Sequence, residues 1–351
     1  MKNLKDIDKN FSVENLGNHA YIFRDCRLEP FRIYGLMLPD EETPFFHRMP
    51  QHIAEQVNEG VAELYRHTAG GRLRFRTDSQ RVAVRVKYHG VGKMPHFPLT
   101  GSAGLDLYAD GLYRGTFIPP YEVVDFFESE VDLRDRQLRD ILIHFPTYSG
   151  VVSLEIGLEP DAVLEAAPEY RPGKPVVIYG SSITQGGCAS RPGNVYTNQL
   201  SLLLNCDHVN LGFSGSARAE EPMVAYLCRQ EMSVFVMDYD HNAPNPEFLA
   251  KTHEPLYRAF RKAQPNTPIV MVTMPKCFPS ADSRQRQAVI RATYEKALAE
   301  GDTLVRYVDG TEMMKILGSD GGLVDNCHPN DLGFLCMTRG ITPAVRELLE
   351  L

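Results

Sequence analysis

The sequence predicts two domains: a jelly-roll-like β-sandwich over residues 1–168, then a three-layer α/β domain with a parallel sheet over residues 169–351. Three observations point there. A chain of 351 residues is too long for one ordinary core. Up to about residue 165, short β-type runs follow one another with turn residues between them and little helical spacing, as a sandwich reads. Beyond that point, short apolar runs alternate with segments whose apolar residues recur every three or four positions, the pattern of helices crossing between parallel strands.

In the first part, one helix is expected near Gln51–Arg66. "RLRFR" at 72–76 alternates arginine with Leu73 and Phe75 and reads as a strand with one solvated, charged face. "RVAVRVKYHG" alternates Val82, Val84, Val86 and Tyr88 against polar or small neighbours, the two-residue period of a half-buried strand. "GLDLYADGLYRGTFIPP" reads as a hairpin turning at Asp110-Gly111, and "RQLRDILIHFP" and "GVVSLEIGLEP" supply two further strands. "EAAPEYRPGKP", polar and proline-containing, suits a linker. After it, strands are expected at "PVVIYG", "HVNLGF", "MSVFVMDY", "TPIVMVTMP" and "TLVRYVDG". Helices are expected at "VYTNQLSLLLN", "EEPMVAYLCRQE", "PEFLAKTHEPLYRAFRKAQP" and "SRQRQAVIRATYEKALAEGD", and an apolar one closes the chain.

A net charge of −8 argues against nucleic acid as the main partner, since phosphate binding wants a basic face. "MKNLKDIDKNF" has no apolar signal region and no run of eighteen apolar residues occurs, so neither membrane nor export is expected and the cytoplasm is the predicted location. Seven cysteines without a CxxC pair favour reduced thiols over a disulfide frame or a zinc site.

Chemistry concentrates in four segments. "YGSSIT" sets Ser182 just past a buried strand, where open α/β sheets bind their ligands. "NLGFSG" puts Gly215 after a second strand, "DYDHN" puts Asn242 after a third, and "DNCH" sets Asp325 three residues before His328. Parallel strands end on one side, so the first three should share an edge, and the loop carrying His328 must reach it. A hydroxyl attacks a carbonyl poorly until a base takes its proton, and imidazole suits that work near neutrality.

In this order, the segments resemble the four blocks of the SGNH (GDSL-type) hydrolase superfamily, and "GLDLY" at 104–108 is similar to a motif of the β-rich domain that precedes some of its esterases. The resemblance implies a flavodoxin-like α/β/α domain and a Ser182–His328–Asp325 triad. It also implies an oxyanion hole from the Ser182 and Gly215 N–H groups and the Asn242 amide, with no metal and no cofactor. "GSS" stands where the family has "GDS", so Ser181 replaces an aspartate that is not a triad member. "DHN" lacks the glycine usual two residues before the asparagine, so Asn242 matches least closely.

The P-loop and the GxSxG elbow fail on the residues present: no lysine follows Gln185, and "GSSIT" has no second glycine. Two rivals remain. One is a metal-assisted hydrolase on Asp238, Asp240 and His241, although one histidine with two carboxylates reads better as a hydrogen-bonded strand end. The other is a non-catalytic carbohydrate-binding protein, with Ser181 as a sign of decay. His89, His96 and His144 read as surface or core residues of the sandwich, while "HFPLTG" and "FIPPY" serve equally as a roof over the site or as interdomain packing. The expected partner is a small ester, an acylated sugar among the candidates, and a homo-oligomer is left open.

Overall fold

The computed structural model of the chain describes residues 7–8, 16–171 and 173–349. Most of the N-terminal stretch read for an export signal, and Pro172 of the linker, lie outside the described residues.

Two antiparallel sheets make the sandwich. One runs in the order β1 (Ile22–Asp25), β9 (Gly150–Leu158), β4 (Arg81–Gly90), β7 (Phe126–Asp132). The other runs β10 (Leu164–Glu165), β3 (Arg72–Thr77), β8 (Arg139–His144), β5 (Leu105–Ala109), β6 (Leu112–Phe117), with β2 (Arg32–Tyr34) also paired to β3. Their facing side chains, among them Val82, Val84 and Val86 of one sheet and Leu73, Phe75, Ile141 and Ile143 of the other, form one core. The expected hairpin is there: Asp110 and Gly111 take φ of 51° and 77°, the left-handed pair that Asp-Gly supplies to a two-residue turn.

The third sheet is parallel, in the order β12 (His208–Gly212), β11 (Val176–Gly180), β13 (Val234–Asp238), β14 (Ile269–Val272), β15 (Val305–Val308). Counted within this sheet the order is 2-1-3-4-5, the flavodoxin-like winding, whose ligand crevice opens between its first and third strands. Both faces are covered, which is why its strands read as unbroken apolar runs. Val176, Ile178, Val234 and Val236 pack on one side under the helices Tyr196–Leu204 and Asp331–Leu348. Val177, Tyr179, Phe235 and Met237 pack on the other under Glu221–Arg229, Pro246–Ala263 and Ala281–Ala299.

Three readings of the sequence are corrected. The helix expected at 51–66 is two helices, Gln51–Val57 and Glu59–Leu64, broken at Asn58, whose extended backbone (φ −168°) lets its side chain accept from Val61 N–H at 2.9 Å. The pair packs on the α/β core rather than on the sandwich: Ala54, Val57 and Val61 lie with Tyr226, Leu227 and Phe235. Arg72 is not on a solvated face, because it is fully buried where the two halves meet. There its guanidinium pairs with Asp207 and donates to the His208 carbonyl at 3.0 Å and to the Tyr170 hydroxyl at 3.1 Å. The linker is tied down as well, with Ala167 and Tyr170 buried and Arg74 stacked 4.3 Å over the Tyr170 ring.

The "GLDLY" motif acts at the same junction. Asp106 is fully buried; its carboxylate accepts from His144 Nδ1 at 2.8 Å, Arg191 at 2.7 Å and Gly193 N–H at 2.9 Å, so a sandwich strand grips the loop after the Ser182 helix. Burial by itself would raise this carboxyl, but the imidazole and the guanidinium outweigh it and hold it below its usual range.

Candidate active site

Parallel register places Gly180 beside both Gly212 and Asp238, so the chain leaves β11, β12 and β13 at one edge. After Gly180 it turns into the helix Ser182–Gln185, with Ser181 as cap: its hydroxyl accepts from Ile183 N–H at 3.2 Å. Ser181 is therefore a sound N-cap. Ser182 opens the helix, which leaves its own N–H without an intrahelical partner.

His328 reaches Ser182 from a loop pinned at several points. Leu323 bridges Pro329, Val324 N–H donates to the His328 carbonyl at 2.8 Å, and Lys276 donates to the Asn326 side chain at 2.6 Å. His328 Nε2 lies 2.9 Å from Ser182 Oγ, and its Nδ1 lies 2.7 Å from Asp325 Oδ2. Asp325 Oδ1 accepts from the N–H groups of His328 at 2.7 Å and Cys327 at 3.1 Å. Partial burial pushes the Asp325 carboxyl up, but those bonds and the imidazole prevail and bring it to about 2. An anion on Nδ1 keeps the ring proton there and leaves Nε2 as an acceptor for the serine proton.

Gly215 sits in the turn Phe213–Ser216, closed by Ser216 N–H to the Phe213 carbonyl at 3.0 Å. Its φ of +68° at the third position favours glycine, and open space lies where a Cβ would point. Its N–H has no partner among the described residues. Asn242 ends the short turn Asp240–Asn242 after β13 and donates one amide hydrogen to the Phe213 carbonyl at 2.8 Å, leaving the other without a partner. Asn242 and Gly215 are thus coupled through one turn.

Asp238, Asp240 and His241 do not bring their donor atoms together as a metal would require. Asp238 accepts from Tyr196 at 2.6 Å and Thr184 at 2.7 Å, and Asp240 accepts from Met274 N–H at 3.0 Å. His241 Nδ1 faces Cys327 Sγ at 3.8 Å, and burial pushes its imidazole down to about 3, so it is neutral.

The sandwich contributes side chains that the sequence reading did not place at the site. Tyr148, buried, donates to the Ser182 carbonyl at 3.2 Å and packs edge-on against Phe97 at 5.2 Å between ring centres. His96, 42% exposed, brings Nε2 to 3.6 Å from Asp325 Oδ2, so it is a neighbour of the site rather than a plain surface residue. Gln185 accepts from Ser214 N–H at 3.0 Å and donates to the Thr147 carbonyl at 3.2 Å, steadying the glycine turn. "HFPLTG" was the one signal in the sequence for any of these; Tyr148 carried none.

Two family models match: the GDSL-like lipase/acylhydrolase family over residues 173–346, and the GxDLY N-terminus of SGNH-hydrolase-type esterases over residues 21–164. No curated protein matches the chain. Among solved structures, a protein described as a GDSL-like lipase from Bacteroides ovatus is 26% identical, with TM-score 0.83 over 94% of this chain and 98% of its own. A salicylyl-acyltransferase from a tetracycline biosynthetic pathway is 19% identical, with TM-score 0.75 over 93% and 97%. An acetyl xylan esterase from the rumen bacterium Butyrivibrio proteoclasticus is 11% identical, with TM-score 0.58 over 94% and 99%. The last two share the fold alone. With a GxDLY sandwich leading into a GDSL-type α/β domain over nearly its whole length, the chain belongs to the SGNH (GDSL-type) hydrolase superfamily and is an ester hydrolase.

Proposed function

We propose that the protein is a serine esterase that removes short acyl groups, acetyl above all, from a carbohydrate-like alcohol through an acyl-enzyme on Ser182. The observation that carries this reading is the unbroken hydrogen-bonded chain from Asp325 through His328 to Ser182, at 2.7 and 2.9 Å. His328 Nε2 takes the hydroxyl proton as Oγ attacks the carbonyl carbon, and Asp325 holds the resulting imidazolium. The oxyanion meets the N–H groups of Ser182 and Gly215 and the free hydrogen of the Asn242 amide. His328 then protonates the departing alcohol, and water repeats the sequence to release the acid and restore Ser182.

The short acyl group is argued from what lies beside Ser182. The loops at this edge, "GCASRPGN" and "DHNAPNP", are short and polar. The fold likeness to an acetyl xylan esterase points the same way by analogy. A fluorophosphonate probe should label the wild type and not Ser182→Ala. On p-nitrophenyl esters the rate should fall from acetate to butyrate and nearly vanish at octanoate, and acetylated oligosaccharides should be deacetylated. A rate that climbs with chain length to octanoate would overturn the acyl assignment.

A further inference from the structure

We infer that His96, Cys188 and His328 form a binding site for a thiophilic divalent cation, zinc foremost, whose occupation reversibly shuts the esterase. Among the described residues this is the one group of three His, Cys, Asp or Glu side chains whose donor atoms converge, all lying within 4.8 Å of one another. The donors arrive on three separate segments: the loop of the sandwich around Met94–Phe97, the turn after the Ser182 helix, and the loop before the C-terminal helix. Zinc bonds of about 2.3 Å to sulfur and about 2.0–2.1 Å to imidazole nitrogen put tetrahedral donors roughly 3.3–3.7 Å apart, so closure needs shifts of about an ångström. A water can take the fourth position. Two imidazoles and a thiolate suit zinc, not magnesium or calcium.

Cys188 is buried against Phe97 and Tyr148 and held at φ +71°, so its thiol is packed in place beside His96 and His328. Binding replaces the S–H bond by an S–Zn bond, releases one proton to solvent and displaces water from the ion. Capture of His328 silences the base through either ring nitrogen. A metal on Nε2 takes the lone pair that faces Ser182. A metal on Nδ1 leaves the ring proton on Nε2, which then has no lone pair for the hydroxyl proton.

The inhibition rests on the role given to His328 above, so binding and activity are read separately. Zinc alone should inhibit p-nitrophenyl acetate cleavage by the wild type, and EDTA should restore it. Cys188→Ser, or Cys188→Ala should the serine fold poorly, should be active without metal and need at least tenfold more zinc for the same inhibition. Cobalt(II) should give a sulfur-to-metal charge-transfer band with the wild type, with Ser182→Ala and with Cys327→Ser, and none with Cys188→Ser. No band with the wild type, a band lost in Cys327→Ser, or equal inhibition of wild type and Cys188→Ser overturns the site. A band that follows Cys188 while metal-saturated enzyme keeps full activity upholds the site and overturns the assignment of His328 as base.

Discussion

Replacing Asp325 by asparagine changes one heavy atom and tests the proposed proton pathway. In the wild type, Oδ1 accepts two backbone N–H groups, at 2.7 and 3.1 Å, while Oδ2 accepts His328 Nδ1 at 2.7 Å. Asparagine has a single carbonyl oxygen to serve both sets. If it keeps the two backbone bonds, its NH2 group faces Nδ1, the ring proton moves to Nε2, and the imidazole donates to Ser182 Oγ where it must accept. If the amide flips to restore the right tautomer, two backbone N–H groups face N–H hydrogens. Leaving each unsatisfied costs about 1–3 kcal/mol, together roughly 2–6 kcal/mol. At 1.36 kcal/mol per factor of ten, only about one molecule in 30 to 10⁴ holds the productive tautomer. The Asp325→Asn variant should therefore lose about 30-fold to 10⁴-fold in kcat on p-nitrophenyl acetate, with KM little changed and the thermal midpoint close to wild type, because the loop keeps its backbone bonds. A Ser182→Ala/Asp325→Asn double variant should be no slower than Ser182→Ala, since the residues act as a unit. An Asp325→Asn enzyme within tenfold of wild type would refute the tautomer argument.

Asn242→Ala should lower kcat by about 10²–10³ and barely move KM if, as proposed, its amide meets charge that exists only in the transition state; a change confined to KM would make it an ordinary substrate contact. Asp106→Ala strands His144 and Arg191 at the junction of the halves and should cost about 3–5 kcal/mol in urea unfolding, so a loss under 1 kcal/mol would deny it that role. Burial, reinforced by Asp238, pushes the Asp240 carboxyl up to about 7. A carboxyl raised in the folded state binds more protons folded than unfolded, so it stabilises below about pH 4, and that contribution is lost as pH rises through about 7. Between pH 6 and pH 8 the wild type should thus lose about 1 kcal/mol more stability than Asp240→Asn, and parallel urea midpoints at the two pH values would contradict it.

How much of this was legible follows from how local each signal is. Strand alternation at 81–90, the Asp-Gly hairpin, and the helix and strand periods beyond residue 176 are set by neighbours a few positions apart, and they stand where the sequence puts them. The pairing of Asp325 with His328 is local in the same sense, because three residues of loop let the carboxylate fold back on the ring. Strand ends that share one parallel edge also made Ser182, Gly215 and Asn242 neighbours by inference. Contacts that depend on docking one half of the molecule onto the other leave no periodic trace. Nothing near Gln51–Leu64 announces that its apolar face belongs to the α/β core, nor near Arg72 that its charge is spent on Asp207 rather than on solvent. Tyr148 and His96 reach the Ser182 edge across a junction at which Asp106, on a strand of the sandwich, also grips Arg191 and Gly193. Short-range spacing thus determined the elements and the four reactive blocks. Long-range burial of charge and ring decided what surrounds Ser182, since the energy of such contacts depends on the packing of segments far apart in the chain.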